Sequence, residues 1–99
     1  MSGSQEEVWQ ALFEELAALE HVRWAHWQRY LHDQCRKADD GALIIPARLV
    51  ERWERQIACR YDEMTEVERE SDRQQVQRYF PVIQQFFEEW LKRCGNNLR

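Results

Sequence analysis

Punctuation is what most limits the folds open to this chain. Glycine stands only at Gly3, Gly41 and Gly95, and proline only at Pro46 and Pro81. Backbone that is not interrupted by these residues has little reason to turn, so long runs are left in which a helical period can develop. The expected fold class is therefore all-α: a small helical bundle with a long N-terminal helix, a loop, and two to three further helices, in one domain spanning residues 1–99.

Ser4-Gln5-Glu6-Glu7 has the form of a capping box and opens the first helix, which runs to about Cys35. Val8, Trp9, Leu12, Phe13, Leu16, Leu19, Trp27, Tyr30 and Leu31 recur along it at three- and four-residue steps and give one broad apolar face. RKADDGAL has no period and reads as a loop. Pro46 suits the first position of a second helix, with Leu49, Val50, Trp53 and Ile57 as its buried stripe and Glu51, Arg52, Glu54 and Arg55 on its solvated side. Thr65-Glu66-Val67-Glu68 is a second capping box, and its helix is expected to reach about Phe80. There Pro81 either kinks it or starts another. The last stretch carries Ile83, Phe86, Phe87, Trp90 and Leu91 on one face and should stop at Gly95-Asn96.

Charge excludes some partners. Fourteen basic against eighteen acidic residues give a net charge of −4, which argues against a nucleic-acid polymer, since such binders present a basic face. Lys37 and Lys92 aside, the basic residues are all Arg, whose planar fork suits a small phosphate or carboxylate as well as surface ion pairs. The longest apolar run is far too short to span a membrane, and MSGSQEEV lacks the basic start and apolar stretch of a signal peptide, so a cytoplasmic protein is expected. Cys35, Cys59 and Cys94 fit reduced, partly buried thiols better than a disulfide framework.

Some polar residues fall where the helical wheel calls for core. Glu20 and Arg23 lie within the apolar arc of the first helix beside Trp24 and Trp27, whereas His21 and His26 lie at or beyond its edges. In the third helix the face of Val76, Phe80 and Ile83 carries Arg69, Asp72 and Arg73 one and two turns earlier. An inward charge must be paired, wetted or liganded. Two readings fit: a salt-bridge network, or a site between the first helix and the Tyr61–Arg73 segment.

At these residues the chain resembles the RyR domain, the small repeat module of ryanodine receptors that also occurs in bacterial and phage proteins. The resemblance rests on His-x-x-Trp at His21 and Trp24, and on YDEMTEVERESDR, where Tyr61, Glu68, Arg69, Asp72 and Arg73 fall on the family pattern. It covers about residues 16–83. Gln28 stands where the family often has a basic residue, a Gly-Trp-x-Tyr-Gly element is absent, and Cys59-Arg60 replaces a favoured Val-Pro. The resemblance implies a helical module that recognises or sequesters a nucleotide-derived signalling molecule in conflicts between bacteria and phages, without catalysis.

The expected ligand-binding residues are Glu20, His21, Arg23, Trp24, Trp27, Tyr61, Arg69, Asp72 and Arg73. Trp24, Trp27 and Tyr61 offer ring faces for a base, and Arg23, Arg69 and Arg73 offer forks for phosphate. A Trp at helical spacing is also an ordinary core residue, and Trp27 sits centrally on its stripe. His21, His26, His32 and Cys35 are poorly placed for zinc, because a five-residue step points the first two rings to different sides of a helix. No metal, cofactor or catalytic residue is assigned; neither a phosphate-cradling glycine loop nor an activated nucleophile is visible. The alternative is a structural or protein-interaction module, a homodimer formed through Trp9, Phe13, Phe86, Phe87 and Trp90, with the inward charges a salt-bridge network.

Overall fold

The computed structural model describes the backbone of residues 2–97 and the side chains of residues 5–95. The described chain is mainly helical: α1 (Ser2–Gln34), β1 (Arg36–Lys37), β2 (Leu43–Ile44), α2 (Ala47–Ala58), a 3-10 turn (Tyr61–Glu63), α3 (Glu66–Val76) and α4 (Phe80–Asn97). It divides into two compact units, one of Met1–Arg23 with Arg73–Arg99 and one of Trp24–Asp72.

In the first unit, the early part of α1 and α4 lie side by side and antiparallel: Val8 and Ala11 share a groove with Phe86 and Trp90, and Leu16 and Ala17 share one with Tyr79 and Ile83. α1 already begins at Ser2, so the expected cap at Ser4 falls inside a helix, and its hydroxyl lies outside the described side chains. α3 ends at Val76 rather than near Phe80. Proline at 81 has no N–H for the carbonyl of Gln77, and its ring would crowd that oxygen. The chain therefore tightens ahead of it, with the N–H groups of Arg78 and Tyr79 donating to Gln75 and Val76 carbonyls at 3.2 and 3.1 Å. α4 then starts at Phe80 with Pro81 in its first turn, where a missing donor costs nothing. Gly95 does not end this helix, which continues to Asn97.

In the second unit, the segment expected as plain loop forms a small hairpin, with Arg36 opposite Ile44 and Lys37 opposite Leu43. Its turn uses Gly41 at φ +90°, the residue type that takes this conformation without strain. Gly41 N–H donates to the Ala38 carbonyl at 3.0 Å, Ala38 N–H to the Ala42 carbonyl at 2.8 Å, and Ala42 N–H to Asp40 Oδ1 at 3.0 Å. This is the three-residue hairpin loop in which a tight turn is followed by a left-handed Gly.

Pro46 caps α2 from outside instead of opening it. Its ψ of 141° is extended, and its carbonyl accepts the Leu49 and Val50 N–H groups at 2.9 and 3.1 Å. Of the expected α2 stripe, Leu49 is buried and Trp53 half-buried, but Val50 is exposed and Ile57 is 76% exposed. Thr65 caps α3 as the sequence suggests: the Glu68 N–H donates to Thr65 Oγ1 at 3.2 Å while Glu68 Oε1 accepts the Thr65 N–H at 3.0 Å.

Candidate functional site

Within residues 24–72 the charges organise around Glu68, the one buried charged side chain among the described residues. One carboxylate oxygen closes the Thr65 cap and also accepts the threonine hydroxyl at 3.0 Å. The other accepts Gln56 Nε2 at 2.6 Å and an Arg55 guanidinium N–H at 2.9 Å, so this side chain ties the C-terminal half of α2 to the start of α3. Hydrogen bonds from the Gln56 amide, the Thr65 backbone and Arg55 favour the ionised form and hold the carboxyl at about 2, well below the usual glutamate range. Arg55, expected to be merely solvated, has this partner, and neither it nor Gln56 was singled out from the sequence. The legible clue was the cap itself: its Glu uses one oxygen at the helix start and leaves a second needing donors.

Arg69 turns its fork inward on its own neighbourhood. It pairs with Glu66 at 2.9 Å and donates to the main-chain carbonyls of Asp62, at 3.4 Å, and Met64. The guanidinium thus fastens the 3-10 turn to α3, and its donors are engaged where a phosphate was expected to take them. Trp27 is likewise committed: its ring stacks on Tyr30 at 5.4 Å between centroids and meets Trp53 edge-on at 5.7 Å. Trp24 and Tyr61 keep about half of their surface open, at 53% and 49%, and Asp72 is exposed.

In the unit of Met1–Arg23 with Arg73–Arg99, Glu20 and Arg23 satisfy one another. The Arg23 guanidinium donates to both Glu20 oxygens, the Nε–H bond being 3.0 Å, which lowers the Glu20 carboxyl below its usual range. Glu20 is exposed rather than inward, and Arg23 is half-buried. His21 and Arg73 are exposed, and each has interactions of its own. The polar residues on the apolar arc of α1 are therefore an ion pair along one helix, three residues apart.

The same unit leaves several large apolar side chains exposed. At 100° per residue, Phe80, Ile83, Phe87 and Leu91 form one stripe of α4. A groove of about 220 Å³, without a charged lining residue, runs past Trp9, Leu12, Ile83 and Phe87, and a wider one of about 440 Å³ lies between Phe13, Leu16, Tyr79 and Ile83 with Glu20 at its border. Trp9 (66%), Phe13 (67%) and Phe87 (60%), three of the residues expected in a homodimer interface, are the most exposed aromatics here. Phe86 and Trp90, also expected in that interface, are half-buried and line the groove past Trp9 and Phe87 as well as one beside Glu7 and Glu89. Phe80 and Leu91, which the sequence places on apolar faces but not in that interface, share the Phe87 stripe and are about half exposed. A further groove is bordered by Glu7, Glu89 and Arg93 and is the polar side of the pair.

Among the described residues no three His, Cys, Asp or Glu side chains gather as a metal site would require. Cys35, Cys59 and Cys94 are free and half-buried. No protein-family model, curated protein or solved structure matches the chain.

Proposed function

We propose that this chain is a non-catalytic helical interaction module of the cytoplasm whose working surface is the apolar face of the antiparallel α1–α4 pair. One observation carries the reading: Trp9, Phe13, Phe80, Phe87 and Leu91, large apolar side chains of that one unit, all stand about half or more exposed. An apolar face of several hundred Å² is as large as the largest patch on most soluble domains, and such patches are commonly contacts with another macromolecule. An apolar reporter dye tests it. Chain diluted until dissociated should bind the dye, and Phe13→Lys with Phe87→Lys should abolish that binding while circular dichroism keeps its helical signal. Dye binding indifferent to these substitutions would refute the reading.

A second reading is favoured by the half-exposed rings of Trp24 and Tyr61, together with the RyR resemblance: recognition or sequestration of a nucleotide-derived signalling molecule. Base stacking on each ring is worth about 1–3 kcal/mol. Calorimetric titration with cyclic nucleotides, ADP-ribose and its cyclic isomers should give heats that Trp24→Ala and Tyr61→Ala abolish. Absence of binding tighter than about 1 mM, roughly 4 kcal/mol, across that set would end it.

A further inference from the structure

We infer that the occupant of the apolar face is a second copy of this chain, the two α1–α4 pairs closing into a four-helix bundle. This rests on the reading that the face is the working surface, and three observations select the copy. The first is area. With aromatic side chains offering roughly 150–250 Å² each, the exposed fractions of Trp9 (66%), Phe13 (67%), Phe80 (47%) and Phe87 (60%) leave open roughly 500 Å². Ile83 and Leu91 bring this to roughly 600–650 Å², at the low end of the roughly 600–1,000 Å² that each partner gives to a standard interface.

The second is charge. The groove past Trp9 and Phe87 has no charged lining residue, and the single one at the Phe13 groove, Glu20, already has its arginine within the chain. A face with so little charge offers nothing that would select a charged partner, and it does not repel itself. The third is form. Each helix of the pair spends an inner stripe on the other, Val8, Leu12 and Leu16 on α1 and Tyr79, Phe86 and Trp90 on α4, all half-buried. The aromatic stripe beside each remains uncovered on the same side of the pair. Two antiparallel helices with an open apolar side are half of a four-helix bundle, and a twofold axis supplies the other half from identical surfaces. The Glu7, Glu89 and Arg93 side then faces water.

Sedimentation equilibrium of the unaltered chain, with dye binding measured on the same samples, tests this. The expected mass is twice 12.2 kDa at micromolar concentration. Dye uptake should rise only on dilution into the dissociated range. Phe87→Ala should weaken the pair at least tenfold, and Phe87→Glu should give a single-chain mass. If Phe87→Glu unfolds the protein, the Phe87→Ala series in the folded state still decides. A single-chain mass at about 100 μM with strong dye binding overturns the second copy and leaves the working surface standing for another partner. A single-chain mass without dye binding overturns both. A mass above two chains, or a pair unaffected by either substitution, places the interface elsewhere and overturns the bundle.

Discussion

A charge buried where few side chains are buried must have its hydrogen-bonding capacity filled, and Glu68 meets that condition with a cap on one oxygen and two α2 donors on the other. Its carboxyl titrates at about 2 in the folded chain and near 4.3 once unfolded, so acid protonates the unfolded form first. The stabilisation is complete above the unfolded value and is lost as pH falls through about 2. Denaturant melts from pH 6 to pH 2 should show stability falling on the acid side, and Glu68→Gln should flatten that dependence. Thr65→Ala removes the hydroxyl that both gives to Glu68 and accepts its N–H, and should cost about 1 kcal/mol in urea unfolding. The wheel put Glu20 and Arg69 on inward arcs but could not name their partners. Glu20 meets Arg23 three residues away, and Arg69 meets carbonyls five and seven residues back, because long side chains reach along the chain in directions that a projection down one axis does not contain.

At the level of elements, the helices were legible wherever a signal combined period with chemistry. The Thr65 box and the break before Pro81 each rest on a backbone donor that must be satisfied or is missing, and such requirements are local enough to read from a few letters. The hairpin was hidden by its size, since strands of two residues show no alternation; the Asp40-Gly41 pair was its one sign. Gly95 misled because Gly is only permitted, not required, to leave a helix. Gly41 is the contrary case. Gly41→Ala puts a Cβ on a backbone at φ +90° with no atom near enough to clash, so its whole cost is conformational and should be about 1–2 kcal/mol, read as a shift in the urea midpoint.

At the scale of the molecule, no helix of the described residues is long and apolar enough to cross a membrane, and the exposed aromatics of the α1–α4 pair are what the proposed partner would cover. If that partner is a second copy, folding and association are one equilibrium. The melting temperature should then climb by several degrees for each tenfold rise in chain concentration, a dependence that calorimetric scans at 5 and 50 μM would expose. Constant melting across that range would separate stability from assembly. Leu49 is the one buried hydrophobic among the described residues, and this has a thermal consequence. Apolar surface that the fold withdraws from water sets the rise in heat capacity on unfolding, normally about 12–15 cal/mol/K per residue. A lone chain with so thin a core should unfold with a smaller increment and a flatter stability curve, whereas the assembled pair, which covers the aromatic face, should regain curvature and a more sharply defined temperature of greatest stability.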